Sequence, residues 1–427
     1  MTPEAANDME RAKGRRAMSG GRTDPVGVLM VAIGGYGYYY LETLLDQVSP
    51  SRARLVGVVD PEARQSSAWP RVEQLGVPVC DTVEAFYAAG HTADLVVVVS
   101  PIQHHVPQCC VALEHGSDVL CDKPLGATIQ DARELIAARD RSRRWVLVGY
   151  QWSFSAAIQS LKRDLLAGLF GRPLRCSTIC CWPRDFAYYR RNNWTGRLRD
   201  AVSGRWILDS PANNAMAHFL HNALYLCGDA AAHSAVPSHV QAEMYRAYPI
   251  ESCDTVAARV QTTNRIEVLF YASHVTESPI APTFRLECED ATVTFGGAAP
   301  SIVATDTKGR SKDYGSPEAT SQFQKLFDAI DAAGGPAPAL CGPEAAGCQT
   351  LAINGMHESV PDVRTFPPGM TVRDDTAGRL QMTRLGEMLL QCYEQAALPS
   401  EARIAWAEAG PRIDLAGYQH FPKKGVL

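Results

Sequence analysis

No stretch of this sequence is apolar for long enough to cross a membrane. The most continuous runs, Val28–Ile33 and Leu95–Val99, are far shorter than a helical span. Basic charge is not in excess either: lysine and arginine number 41 against 46 aspartates and glutamates, net −5. No positive field exists to hold a polyanion, so neither nucleic acid nor an anionic membrane is an expected partner. The 13 cysteines include no C-x-x-C; Cys176 to Cys180 is one residue too wide and has no second half, so no metal site is expected. The adjacent pairs Cys109-Cys110 and Cys180-Cys181 do not suit a disulfide framework, and free buried thiols in a reducing cytoplasm are the expectation. The first 24 residues lack the hydrophobic segment of a secretion signal. They are polar and basic (Arg11, Lys13, Arg15, Arg16) and read as a disordered tail, or as residues ahead of a start at Met18.

What is present is ordinary globular composition, 46% apolar and 20% charged over 427 residues, enough for a sizeable core in two or three domains. Apolar runs at Val28–Ile33, Leu55–Val59, Leu95–Val99, Val119–Cys121 and Trp145–Val148 alternate with helical patterns. The helices include Pro107–His115 and Ile129–Arg139, the latter opened by a capping-box-like Thr128…Asp131. Continuous apolar strands alternating with helices predict a parallel sheet covered on both faces, a doubly wound domain over residues 25–149. Residues 150–427 read differently. A helix over Ala156–Leu169 precedes strand-like segments at Leu174–Cys181, Thr255–Gln261, Ile266–Ala272, Thr283–Glu287 and Ala291–Phe295. Their alternation predicts an open, mainly antiparallel sheet with one face covered, in an α+β domain. Ser301–Gln322 reads as a polar connection and Phe323–Ala333 as a helix.

Ala32-Ile33-Gly34-Gly35-Tyr36-Gly37 follows the first strand and opens a helix. Against G-x-G-x-x-G, Ala32 replaces the first glycine while Gly34 and Gly37 stand. Gly34 lets the backbone approach a pyrophosphate at the helix N-terminus, and Gly37 allows close helix–strand packing. Asp60 ends the second strand, where a carboxylate can take ribose hydroxyls and would repel a 2′-phosphate; a turn role is the alternative. NAD(H) is thus favoured, while the nearby Arg64 leaves NADP(H) open. Ser100-Pro101 with His105, and Asp122-Lys123-Pro124, sit at the carboxyl ends of further parallel strands, where open α/β sheets bind ligands. Lys123 can donate to a substrate oxygen and relay a proton once nearby charge lowers its pKa; a surface lysine is the plain alternative.

These motifs, in this order, resemble those of the glucose–fructose oxidoreductase/inositol dehydrogenase/rhizopine-catabolism (Gfo/Idh/MocA) family over most of the chain after residue 25. The family's E-K-P reads Asp122-Lys123-Pro124 here. The family's D-x-x-x-H reads Asn214-Ala-Met-Ala-His218, followed by His221 and Leu226-Cys227-Gly228. The resemblance makes Lys123 and His218 the proton-moving pair and Asn214 their partner, with Asn214 and His221 orienting substrate. On one helix, positions 214, 218 and 221 would share a face. Asn214 cannot accept a proton, and Asp209 in the preceding loop could supply the missing carboxylate. The resemblance also implies that Gly34, Gly35, Tyr36, Gly37, Asp60, Ser100, Pro101, His105, Asp122 and Lys123 serve the nucleotide, and that the sheet builds a homodimer or homotetramer.

Between these motifs Trp182–Arg197 concentrates aromatic and cationic residues as no other segment does. Aromatic faces suit sugar C–H surfaces and Arg or Asn suits hydroxyls, so Arg184, Tyr189 and Trp194 are candidates for binding a polyol or keto-sugar; a solvated or subunit-facing loop is the alternative. His274 and His357 read as structural. The expected activity is nicotinamide-dependent hydride transfer at a carbinol or ketone carbon of a sugar, cyclitol or related polyol, in either direction. Its rivals are a non-catalytic regulator of the same fold and an enzyme that uses bound NAD transiently to cleave a glycoside or invert a centre.

Overall fold

A computed structural model describes residues 24–297 and 299–423. The expectation of a disordered tail falls, apart from Asp24, outside the described residues. Strands β1 (Val26–Val31), β2 (Ala53–Val59), β3 (Val79–Cys80), β4 (Leu95–Val98), β5 (Asp118–Cys121) and β6 (Val146–Val148) form one sheet in the order β3-β2-β1-β4-β5-β6. Every pairing is parallel. Helices α1 (Tyr36–Gln47), α2 (Trp69–Leu75), α3 (Val83–Ala88), α4 (Ile102–Glu114) and α5 (Ile129–Ser142) connect them. All residues of β1, β4 and β5 are buried, as the unbroken apolar runs require of strands covered on both faces. The Thr128–Asp131 capping box is present at the start of α5. This strand order reverses direction between β1 and β4, where such folds leave a crevice outside the carboxyl ends of the strands.

The chain continues through α6 (Ala156–Leu166) into β7 (Pro173–Cys181), α7 (Phe186–Arg190), α8 (Ala217–Leu226) and the strands β8 (Pro237–Arg246), β9 (Thr255–Thr262), β10 (Glu267–Ser273), β11 (Ile280–Cys288), β12 (Ala291–Gly296), β13 (Ala299–Asp306) and β14 (Ser311–Asp313). Helices α9 (Gln324–Ala332) and α10 (Pro343–Ser359) follow, then β15 (Arg364–Thr365), the hairpin β16 (Thr371–Asp374) and β17 (Arg379–Met382), α11 (Leu385–Gln395) and β18 (Ile413–Asp414). The sheet order is β14-β13-β12-β11-β7-β10-β9-β8-β15, with β18 also on β8. It is antiparallel except for the pairs β7·β10 and β8·β15.

Two expectations are corrected here. Ser301–Gln322 is not simply a connection: it contains most of β13 and all of β14, whose polar residues face solvent at the sheet edge while Ile302 and Ala304 turn inward. The sheet is also not covered on one face alone. Along β7, Cys176 and Cys180 pack towards the main core, whereas the alternate residues Ile179 and Cys181 join Leu269, Tyr271, Leu385, Leu389 and Cys392 in a second cluster. The face of the sheet opposite the main core is therefore covered there by the chain's own α11. The C-terminal half also returns to the first sheet. The Val148 N–H donates to the Cys341 carbonyl at 2.8 Å, and Asn354 on α10 accepts from Ile129 N–H (2.8 Å) and donates to the Ala127 carbonyl (2.9 Å) at the start of α5.

Candidate active site

The turn from β1 to α1 is shaped by three residues. Ala32 and Gly35 have φ of 67° and 53°, in the left-handed region. At Gly37 a Cβ would stand 2.2 Å from the Ala32 carbonyl oxygen, so only glycine lets the helix begin this close to the strand. A Cβ at Gly34 or Gly35 would meet no protein atom within 4 Å, and no side chain caps the helix N-terminus. The cradle is open where a pyrophosphate needs backbone amides, so the residues fit a dinucleotide. Asp60 braces this turn, its carboxylate accepting from Ile33 N–H and Glu62 N–H, both at 2.9 Å. It stands half-buried at the end of β2, while Arg64 is exposed against the Trp69 ring. Gly37→Ala should cost about 1–3 kcal/mol of stability through overpacking and abolish nucleotide binding. Gly34→Ala should leave the melting temperature unchanged and weaken NADH alone; thermal melts and NADH titrations of both variants separate the two roles.

At the ends of β4 and β5 several expected nucleotide ligands are otherwise engaged. The Ser100 hydroxyl donates to Gln108 (2.5 Å), and Pro101 stands at the N-cap of α4. His105 is buried, with Nδ1 2.7 Å from the Pro124 carbonyl and Nε2 2.7 Å from the Ser100 carbonyl. Carbonyls only accept, so both nitrogens carry protons and the ring is an imidazolium tying the two strand ends together. Burial disfavours that charge, but the Cys121 sulfur, the Pro124 carbonyl and the Asp122 carboxylate hold its pKa up at about 9. Asp122 is buried too, accepting from Tyr40 Oη (2.7 Å) and Lys325 Nζ (2.8 Å). His105 thus positions the loop with both ring nitrogens engaged, and Asp122 Oδ1 accepts from both Tyr40 and Lys325. Lys325, on α9, was missed from the sequence; its signal is a lysine among Phe323, Leu326, Ala329 and Ile330, on the buried stripe of that helix. Gly149 makes room for the pair, since a Cβ there would come within 2.9 Å of Asp122 Oδ1.

Lys123 points the other way. Its Nζ donates to the Asn214 carbonyl (2.6 Å) and to Asn214 Oδ1 (3.3 Å). Asn214 Nδ2 donates to Asp209 Oδ1 at 2.7 Å, and Asp209 Oδ2 accepts from Gly196 N–H at 2.6 Å. A flipped amide would set NH₂ against the ammonium and oxygen against the carboxylate, so only this orientation suits both partners. Asp209 thus reaches Lys123 through Asn214. Burial lowers the Lys123 pKa to about 8, against the pull of Asp122 and Asp209 and with the push of Lys325 and Arg191. His218 is half-buried with Nδ1 unpartnered, edge-on to Tyr150 at 5.9 Å. Burial, then Lys123, Lys325 and His221, keep it neutral far below the ordinary histidine range.

The one-face expectation for 214, 218 and 221 does not hold. Helix α8 begins at Ala217, so Asn214 lies in the turn before it. His221 is buried behind Tyr150, stacked on that ring at 3.9 Å with Nε2 3.0 Å from Ser153 Oγ. Buried in this way, it cannot orient a substrate. In the aromatic loop, Arg184 and Arg191 both lie over the Tyr188 ring, at 4.7 and 4.0 Å from its centre. Trp194 is half-buried, 5.8 Å from the Arg191 guanidinium. Tyr189 turns away from this group: its hydroxyl bonds His274 Nδ1 (3.0 Å) and its ring packs on Tyr248. The ring between the two guanidiniums is Tyr188, its neighbour in the sequence. Burial and the nearby Asp209 push the Tyr188 phenol up to about 12, so it stays a neutral donor.

A six-stranded parallel sheet with a glycine turn after β1 and a half-buried lysine after β5, followed by a mixed-sheet domain, defines a two-domain protein of the dinucleotide-binding Rossmann class. Residues 26–150 match the model of the Gfo/Idh/MocA oxidoreductase family, NAD-binding Rossmann fold. An inositol 2-dehydrogenase of Saccharopolyspora erythraea is 33% identical over 150 residues, 35% of this chain and 44% of that protein. An NADP-dependent D-xylose 1-dehydrogenase of Haloarcula marismortui is 26% identical over 153 residues, 35% of this chain and 42% of that protein. The chain spans less than half the length of these curated relatives. Among solved structures, the WlbA dehydrogenase of Bordetella pertussis, in complex with NADH and UDP-GlcNAcA, shares the fold with a TM-score of 0.63 at 19% identity. That likeness covers 79% of this chain and 97% of the other. Among the described residues no cluster of metal-ligating side chains occurs, and no helix is long and apolar enough to cross a membrane.

Proposed function

We propose that the protein is an NAD(P)-dependent dehydrogenase or reductase acting on a carbinol or ketone carbon of a sugar, cyclitol or related polyol. The observation that carries this reading is Lys123, half-buried at the carboxyl end of β5 with its pKa lowered to about 8 and linked through Asn214 to Asp209. A bound nicotinamide dinucleotide supplies hydride acceptance or donation. Gly34, Gly35 and Gly37 would hold its pyrophosphate and Asp60 its adenosine ribose, which favours NAD(H). Lys123, neutral, takes the proton of the reacting hydroxyl in oxidation; protonated, it returns one in reduction. Asn214 keeps the ammonium aimed, and His218, held neutral, bonds the same hydroxyl. Arg184, Tyr188 and Trp194 fix the rest of the sugar. The 13 cysteines, all free, suit a cytoplasmic setting. An oligomer, implied by resemblance, would have to use surface that α11 does not fill.

Calorimetric titration of nucleotide-stripped protein with NADH and with NADPH tests the first half of this reading, and a screen of polyols and keto-sugars for NADH formation or consumption tests the second. Tighter binding of NADH supports Asp60 in its role, and the reverse preference removes it. Folded protein that binds neither nucleotide overturns the reading.

A further inference from the structure

We infer that the sugar bound beside Lys123 carries an anionic group, carboxylate or phosphate, received by Arg184 and Arg191. This inference rests on the reading of the cleft as a sugar site and narrows it to a charged class of sugar.

Several arginines elsewhere in the chain have carboxylate partners. Arg71 pairs with Glu42 and Asp46, Arg139 with Asp140 and Glu344, and Arg259 with Glu267 and Glu401. Among the described residues, Arg184 and Arg191 form no ion pair at all. Both stand against Tyr188, and Arg184 Nε is buried without a partner. Arg191 gives its Nε to Thr195 Oγ1 at 3.2 Å and is also hydrogen-bonded to the Tyr188 hydroxyl, both neutral partners. Two guanidiniums over one ring, close enough to Lys123 for Arg191 to lower its pKa, make a concentration of positive charge in a chain that is otherwise net negative. The nearby carboxylate, Asp209, is already held by Gly196 and Asn214.

His274 lies beside this pair. Its Nδ1 is hydrogen-bonded to the Tyr189 hydroxyl at 3.0 Å, and its Nε2 is buried and unpartnered. Burial and the two guanidiniums hold the ring neutral. Arg184 N–H donates to the His274 carbonyl at 2.9 Å, which ties the loop after β7 to the end of β10 and fixes the two residues relative to one another. Arg184 is half-buried and Arg191 exposed, and hydroxyls alone would leave the pair without a counter-ion. One carboxylate or phosphate compensates them, and a planar guanidinium is shaped for such bidentate bonding. The sugar would then be held by its anion at this loop, with the reacting carbon towards Lys123.

The test is equilibrium binding of D-glucose, D-glucuronate and D-glucose 6-phosphate to the protein, with and without saturating NADH. At least one anionic sugar should bind at least about tenfold tighter than glucose, as expected for a charge-assisted pair, and which of the two wins identifies the anion as carboxylate or phosphate. In Arg184→Gln and Arg191→Gln that advantage should fall about tenfold and lose its salt dependence, with NADH affinity and melting temperature unchanged; Arg184→Lys should restore part of it. Glucose binding as tightly as both anions, an advantage that survives in the double Gln variant, or binding of none of the three would each overturn the inference. Turnover separates the two readings. Oxidation of neutral polyols with no anion preference removes this inference alone, and anion binding without turnover of any sugar removes the dehydrogenase reading alone.

Discussion

Lys123→Met should lower turnover of any sugar the protein oxidises by about 10²–10⁴-fold, the usual worth of a positioned acid–base group, with NADH affinity largely unchanged. The side-chain contacts explain the split. Lys123 Nζ bonds only to Asn214, whereas the open cradle lies at Gly34 and Gly35 on the other side of β4. Methionine keeps the length of the stem, so the remaining cost is the loss of the two bonds to Asn214, about 1–3 kcal/mol, measured as a melting-temperature shift. The pH profile carries the assignment. With the Lys123 pKa at about 8, the neutral base needed for oxidation accumulates as pH rises, so kcat/KM should climb through about 8 to a plateau. Reduction needs the ammonium and should fall over the same range. His218 stays neutral across that range and adds no second step. Near-normal turnover in the methionine variant, or a profile still centred near 8 without Lys123, would show the lysine to be structural.

How much of this was legible in the sequence follows from which forces are local. The first sheet was readable because a strand buried on both faces must be apolar at every position, as β1, β4 and β5 are. The glycine turn and Asp122-Lys123-Pro124 were readable because backbone geometry and strand-end chemistry confine the residue types. Helix α10 was not, since all but one of its residues are buried and no polar face marks its period. Sequence spacing also placed His221 in the cleft. Spacing sets the angle of a side chain about a helix but not what fills the space it enters; Tyr150 takes that space beside His221. His274 reaches Arg184 and Arg191 only because β7 and β10 pair in parallel and end together. The choice of Tyr189 over Tyr188 failed for the same reason, as adjacent residues of a short helix differ by about 100° in direction. The Asn214 substitution, read alone, weakened the case for chemistry; the fold answers it by bringing Asp209 to the amide.

The other large expected effect concerns Asp122 and Lys325, which meet in the interior across 203 residues of sequence. Lys325→Met should destabilise by about 3–5 kcal/mol, because it leaves a buried carboxylate with Tyr40 as its remaining side-chain donor. Asp122→Asn should cost a similar amount by stranding a buried ammonium. The double variant Asp122→Asn/Lys325→Met should recover much of the loss, since removing both charges also removes both desolvation costs. Burial alone would raise the Asp122 pKa, but Lys325, Lys123 and Tyr40 hold it below its usual value. A depressed carboxyl stabilises the fold fully above its unfolded pKa of about 3.9 and loses that contribution as pH falls through the folded value; the double variant should lack this acid sensitivity. The single variants also test the link to the site. Asp122 raises the Lys123 pKa and Lys325 lowers it, so the midpoint of the pH–rate profile should move down from about 8 in Asp122→Asn and up in Lys325→Met. Denaturant melts of the four proteins, with pH profiles of those that retain turnover, decide the matter: additive losses with unshifted midpoints would mean that the pair neither stabilises as a unit nor tunes the lysine beside it.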